Sequence, residues 1–254
     1  MGKAEAFQAL HQGEPFVIPN PWDAGSAKVL EQLGFKALAT TSSGFAFTLG
    51  RHDGNVTLDE VIAHTALLAA ATNLPVSVDL ENGYGPEPKD AARAVTAAAA
   101  AGAAGGSIED YDPSGHLYDI GHATERVAAA VEAATSFVLT ARAENHIRGN
   151  PDLDDTIARL QAYERAGADV LYAPGLATVE EIRTVCDAVS KPVNVLARPN
   201  LSFGEMTAAG AQRVSVGGAL AWVAVAGLVS AAEGIRDRGD FTALGKGVKI
   251  SEWL

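Results

Sequence analysis

Apolar positions along this 254-residue chain follow two rhythms that take turns. Short β-branched or aliphatic runs read as strands at Phe16–Asn20, Ala37–Ser42, Val76–Asn82, Gly105–Asp110, Phe137–Asn145, Asp169–Pro174, Val193–Ala197 and Arg213–Gly217. Between them lie amphipathic segments with helical spacing, among them Leu58–Ala71, Lys89–Ala101, Thr124–Ala134, Leu153–Ala166 and Val179–Val189. Thr57 with Glu60, and Thr178 with Glu181, have the spacing of capping boxes that start helices. Gly34, Gly102, Gly167 and Gly210 each sit where a helix should end and a strand begin, and are read as glycine caps. No polar or Pro/Ser-rich linker divides the chain. Eight such strands alternating with helices predict an α/β protein with a (β/α)8 TIM barrel fold, a single domain over residues 1–254. An open doubly wound sheet is the competitor, but no GxGxxG fingerprint follows the first strand.

Composition narrows the classes of function. Hydrophobic residues make up 48% of the chain, enough for a large core, while aromatics are only 6%, so small residues must carry much of the helix–sheet packing. The net charge of −12 argues against nucleic acid or an anionic membrane as partner. Cys186 is the only cysteine, which rules out an internal disulfide and fits a reducing compartment; within its helix it reads as a packing residue. The first residues lack the cationic-then-apolar pattern of a leader, and the apolar run Gly218–Ala232, interrupted by Trp222 and Ser230, is read as too short for a membrane span. A cytoplasmic protein is expected.

Strand alternation then locates the chemistry. Asp79 and Glu81 are two residues apart at the end of the third strand, so both point to one face before Asn82, Gly83 and Gly85 break the strand. Two inward acids at the end of an apolar strand require a cation, a proton or a hydrogen-bonding ligand. The same period gives Ser107 and Glu109 on the fourth strand, and Thr140, Arg142 and Glu144 on the fifth. Barrel sites form at the C-terminal ends of the strands, so these groups should share one mouth. Asp79, Glu81 and Glu109 form a hard-oxygen set suited to Mg2+ or Mn2+, and Arg142 is a natural clamp for an anionic substrate. The structural alternative is an ion-pair network of Arg142 with Glu109 and Glu144. Thr40–Gly44 is a weak anion-binding stretch, and Arg51–Asn55 is a lid or a surface loop. The polar insertion at about 111–121 lies over the proposed site as a gating loop, and offers His116 and Tyr118 as acid/base groups, with His122 and His146 as further histidines.

Asp79-Leu80-Glu81-Asn82-Gly83-Tyr84-Gly85, Ile108-Glu109-Asp110, Thr140-Ala141-Arg142-Ala143-Glu144 and Ala162–Asp169 occur in the order and spacing of the isocitrate lyase/phosphoenolpyruvate mutase family, which the chain resembles over nearly its whole length. The resemblance implies a Mg2+-dependent barrel that makes or breaks C–C or P–C bonds of small 2-oxo or 2-hydroxy acids through an enolate. It implies Asp79 nearest the metal with Glu81 and Glu109 beside it, and Ser43, Gly44 and Phe45 holding the substrate carboxylate and enolate oxygen. It also implies Arg142 on the carboxylate side and Asp53 on the loop after the second strand. Asn194 joins the substrate-binding set. A homo-oligomer, dimer or tetramer, often with an exchanged C-terminal helix, is implied too.

The chain departs from the family in instructive places. The lyases carry a cysteine in a K-[KR]-C-G-H loop, where Pro113-Ser114-Gly115-His116 stands here. A serine hydroxyl is a far poorer proton carrier than a thiol, which speaks against isocitrate or methylisocitrate cleavage. No lysine lies between Lys89 and Lys191, which speaks against the mutase and phosphonopyruvate hydrolase chemistry that needs one. Glu81 replaces the usual second aspartate. The leading expectation is a Mg2+-dependent lyase or decarboxylase cleaving a C–C bond of a small dicarboxylate, with His116 first choice as proton donor. The alternatives are P–C bond chemistry or a catalytically weak metabolite-binding barrel.

Overall fold

A computed structural model describes residues 2–253. Its main sheet contains the eight expected strands: β1 (Phe16–Ile18), β2 (Leu38–Ala39), β3 (Val76–Asp79), β4 (Gly105–Glu109), β7 (Val138–Arg142), β8 (Val170–Tyr172), β9 (Val193–Leu196) and β10 (Arg213–Ser215). All neighbours are parallel, in the order β1-β10-β9-β8-β7-β4-β3-β2. The ends meet where Ala39 N donates to Pro19 O at 3.0 Å and Asn20 Nδ2 to Thr40 O at 2.9 Å, which completes the barrel. Helices α1 (Lys3–Leu10), α2 (Ala24–Gln32), α3 (Ser42–Thr48), α4 (Leu58–Ala71), α5 (Pro88–Ala100), α6 (Ile120–Ala133), α7 (Leu153–Arg165), α8 (Val179–Asp187), α9 (Phe203–Ala208) and α10 (Ala219–Arg238) complete the order.

The alternation behaves as the sequence requires. Leu139, Ala141 and Ala143 face the helices in the main core, while Val138, Thr140 and Arg142 face the axis. The axis is apolar at its base, where Phe16, Ile18, Ala104, Val138 and Val170 pack against Phe7 of α1. Arg213 at the start of β10, bonded to His11 of the α1 C-cap, is the charged exception at this level, and the axis becomes more polar toward the strand C-termini. Gly105 is required at that base: a Cβ there would lie 2.8 Å from the Phe7 ring and 2.5 Å from Val138 O. Both capping boxes form, with Thr57 N on Glu60 Oε2 at 2.8 Å and Thr178 N on Glu181 Oε2 at 3.1 Å. The four helix-ending glycines all have positive φ, from 85° at Gly34 to 107° at Gly210.

Two regions differ from the sequence reading. The 111–121 insertion is a β-hairpin, β5 (Tyr111–Asp112) against β6 (His116–Leu117), and α6 starts at Ile120, capped by Asp119, instead of Thr124. The apolar run near the C-terminus is part of a 20-residue helix, long and apolar enough by length and composition to cross a membrane. Charged Glu233, Arg236 and Arg238 extend the helix instead of ending it, which is why the apolar run alone underestimated its length. It follows β10 in the barrel order, and its start packs inward through Ala221, yet Trp222, Val223, Leu228 and Val229 are exposed. Phe47 of α3 meets Trp222 edge-on at 5.4 Å, so the apolar surface continues onto the barrel rim.

Candidate active site

Arg142 ends β7 and is the hub of the mouth. Its guanidinium meets Asp79 Oδ1 at 3.0 Å, Glu109 Oε2 at 3.1 Å and Glu144 Oε1 at 2.8 Å. Arg148 forms a second layer, pairing with Glu109 Oε1 and Glu144 Oε2, each at 3.1 Å, and lying 3.9 Å over the Tyr111 ring. The ion-pair network considered as the alternative for Arg142 is therefore present, and it includes Asp79. Burial opposes the charge on Arg142, but Glu144, Glu109 and Asp79 override it and hold the proton firmly.

The backbone fixes these acids. Thr40 Oγ1 accepts from Asp79 N at 2.9 Å, tying β3 to the loop after β2. Glu81 has a φ of 48°, a left-handed conformation unusual for a non-glycine residue, which turns the chain sharply at the strand end. Its carboxylate accepts from the Tyr84 hydroxyl at 2.9 Å. Burial, reinforced by the charge of Asp79, pushes the Glu81 carboxyl up to about 7. Burial also raises Glu109, with Glu144 and Asp79 adding and Arg142 opposing. Behind the site, Asp110 accepts from Glu144 N at 2.9 Å, Arg159 Nη1 at 3.1 Å and the Tyr163 hydroxyl at 2.5 Å. That links the Ile108–Asp110 and Ala162–Asp169 motifs physically: the second holds the acid of the first. Arg126, buried beneath the turn after β3, donates to the carbonyls of Asn82, Gly85 and Pro86 and so anchors the segment that carries Glu81.

Two cavities open around Arg142. The outer one, about 420 Å³, is lined by Ser42, Asp53, Glu81, Glu109, Glu144 and Arg148. The inner one, about 210 Å³, runs down the axis past Ser43, Asp79, Tyr172, Asn194, Ser215 and Arg213. Ser42, Arg142 and Ile147 line both, so the two join. A further cavity of about 260 Å³ lies at the opposite end, between α1 and the start of β7, away from these groups.

The structure thus brings together Asp53, Asp79, Glu81, Glu109, Arg142, Ser43 and Asn194 around the joined cavities. It leaves others outside. Phe45 stacks on His64 with ring centroids 3.9 Å apart, in the core, because it lies on the face of α3 turned from the axis. Gly44 N donates to the capping Thr41 Oγ1 at 3.3 Å, so its amide serves the helix start. The first-turn amides of Ser42 and Ser43 have no acceptor within the helix and are better placed to meet a ligand. His116 is exposed on the hairpin, bonded to Ser114 Oγ at 3.1 Å, and lines neither cavity. Tyr118 is buried beneath Arg126, with its hydroxyl accepting from Asn82 Nδ2 at 3.4 Å. His122 Nε2 pairs with Pro86 O, and burial pushes the Cys186 thiol up to about 12, which keeps it unreactive. Missed by the sequence reading were Arg148, Tyr172, Arg213 and Ser215. Extending the two-residue period to β8 and β10 would have found the last three.

Among the described residues, no three His, Cys, Asp or Glu side chains are gathered closely enough to enclose a metal. Asp79 and Glu109 converge, but on Arg142, while Glu81 is turned to Tyr84. The donor chemistry nevertheless fits a hard divalent cation. Carboxylates outnumber guanidinium groups at the mouth, and burial, with neighbouring carboxylates adding to it, raises the proton affinity of Glu81 and Glu109.

A parallel barrel with acids and an arginine converging at its C-terminal mouth defines the class: an α/β barrel whose charged side chains gather where barrel enzymes carry their active sites. Within that class the chain matches the family described as phosphoenolpyruvate phosphomutase over residues 7–236, and it belongs to the isocitrate lyase/phosphoenolpyruvate mutase superfamily. It is 33% identical to a 2-methylisocitrate lyase of Halalkalibacterium halodurans, across 82% of this chain and 72% of that one. It is 29% identical to an oxaloacetate decarboxylase of a Bradyrhizobium strain, across 75% and 69%. A crystal structure of a Burkholderia cenocepacia protein, provisionally described as a lyase/mutase, superposes with a TM-score of 0.95 at 50% identity, covering 99% of this chain and 95% of the other.

Proposed function

We propose that this protein is a Mg2+-dependent carbon–carbon lyase or decarboxylase that acts on a small 2-oxo or 2-hydroxy dicarboxylate through an enolate. The observation that carries this reading is the junction at Arg142. There, a surplus of carboxylates faces one cavity and a polar pocket of about 210 Å³ opens into it. Relatives that cleave or decarboxylate small acids support it. The serine at position 114 argues against the cysteine-dependent course of isocitrate-type lyases, and the missing lysine against the mutase course.

Asp79, Glu81 and Glu109 would hold the cation, Mg2+ or Mn2+, which when bound would supply Lewis-acid polarisation of the substrate oxygens. Arg142 stays charged and would offer its fork to a substrate carboxylate. The Ser42 and Ser43 amides donate toward an oxygen that gains negative charge. Asp53 reaches the outer cavity from the loop after α3. Ile18, Val78 and Leu196 line the inner pocket among its polar groups and lower the local dielectric, which strengthens each of these interactions.

A second reading, a metabolite-binding barrel with little turnover, is favoured by one observation. Arg142 occupies the position between Asp79 and Glu109 as their counter-charge. A panel of 2-oxo and 2-hydroxy acids, assayed with Mg2+ and with chelator, separates the two. Chelator-sensitive release of CO2 or an aldehyde or keto acid supports the lyase, and binding without turnover of any member supports the second reading. A homo-oligomer assembled through the exposed apolar face of α10, cytoplasmic residence and the absence of nucleic-acid or membrane partners complete the proposal.

A further inference from the structure

Arg213 lies on the axis of the barrel, 4% exposed, and no carboxylate pairs with it among the described residues. Its three partners are neutral: Asn194 Oδ1 at 2.8 Å, Thr140 Oγ1 at 3.0 Å and His11 Nε2 at 3.1 Å. His11 Nδ1 lies 2.8 Å from Phe7 O, so that nitrogen carries the proton and Nε2 offers its lone pair to Arg213. Burial and the charge of Arg213 push the imidazole down to about 3, which keeps it neutral. Burial pushes Arg213 itself down to about 10. A guanidinium without a counter-ion in a dry core is costly, and it leaves positive potential in the space beside it. That space is the inner cavity, which Arg213 lines.

The contrast with Arg142 decides the direction of the field. Arg142 is met by three carboxylates, so its charge is spent locally; Arg213 has none to meet. Arg213 also settles an orientation. By donating to Asn194 Oδ1 it turns the amide so that Nδ2 faces Ser215 Oγ at 3.0 Å. The floor of the cavity therefore carries a positive charge with no carboxylate beside it. We propose that Arg213 is a positioning residue that fixes the Asn194 amide and sets a positive floor, so that the inner cavity takes the carboxylate end of its ligand in preference to a neutral group. This rests on the reading of the inner cavity as the substrate pocket.

The test is titration calorimetry of the full-length protein, with and without Mg2+, using malate and its 4-amide as probes. The two differ only in the charge of the far end. The wild type is expected to favour malate, and Arg213→Met to lower the malate-to-amide affinity ratio about tenfold or more. Asn194→Asp should lower it similarly while keeping the fold, because its carboxylate accepts from Arg213 and neutralises the floor. Arg213→Lys should restore part of the preference. A merely structural role would weaken both probes alike and leave the ratio alone. Malate binding with an unchanged ratio in both Arg213→Met and Asn194→Asp would overturn this inference and leave the substrate-pocket reading standing. Failure of the folded wild type to bind either probe would overturn both.

Discussion

His11 offers a prediction whose size hardly depends on how far its proton affinity falls. The imidazole is 8% exposed and is held neutral, down at about 3, by burial and by the neighbouring Arg213. In the unfolded chain it titrates near about 6.5. A group whose folded pKa is depressed contributes stability that is present above its unfolded pKa and lost as the pH falls. Between about pH 7.5 and about pH 5 the unfolded chain takes up this proton and the folded protein does not. The penalty is RT ln(1 + 10^1.5), about 2 kcal/mol at the lower pH, against under about 0.1 at the higher. Raising the folded value by a whole unit leaves that figure nearly unchanged. His11→Gln places Oε1 at the reach of Nε2, where it can accept from Arg213, and cannot titrate. Urea unfolding of both proteins at the two pH values gives a difference of differences in which the other titrating groups cancel. The wild type should lose about 2 kcal/mol more than His11→Gln on acidification. Parallel losses in the two proteins would show that His11 is protonated in the folded state and refute the buried neutral acceptor.

Asp79→Ala should abolish any Mg2+-dependent turnover while leaving the thermal midpoint within a few degrees, checked by assay with chelator and by calorimetry; unchanged turnover would remove Asp79 from the cation site. Glu81→Gln should stabilise the metal-free protein at about pH 8 and change little at about pH 4.5, because a carboxyl raised to about 7 contributes stability below its unfolded pKa that is lost as the pH rises through 7. Arg126→Met removes the donor from four carbonyls of the turn after β3, and should cost about 3 kcal/mol and loosen that turn, read as a lower urea midpoint and faster hydrogen exchange at 82–87. Gly44→Ala places a Cβ 2.6 Å from Thr41 Cγ2 and 3.1 Å from Trp22 Cβ, and should cost about 1–3 kcal/mol despite the better helix former, with a shift in Trp22 emission as α3 is displaced.

Much of this molecule is local in origin. The alternation that sets Asp79 apart from Val78, and Arg142 and Thr140 apart from Leu139 and Ala141, is a property of any strand, and it puts Asp79 and Arg142 on the axis. Glu81 lies past the end of β3, where its φ of 48° breaks the alternation and its carboxylate turns to Tyr84. Capping boxes and glycine caps are likewise satisfied within a few residues, which is why helix starts and ends read well. The hairpin at 111–117 read as an irregular loop because its arms are two residues each, too short to show a period.

What the barrel alone decided is which side chains meet. His11 and Arg213 are 202 residues apart and join only when α1 closes the base beneath β10. Arg142 could have served a ligand or its neighbours, and the convergence of β3, β4 and β7 gave it three carboxylates at once. Phe45 and Tyr118, placed near the mouth by their numbers, were drawn into packing against His64 and Arg126. Side-chain direction follows from the backbone at each residue and is written in the order of the amino acids. Partners, burial and proton affinity depend on the summed positions of strands far apart in the chain, and only closure of the barrel fixes those.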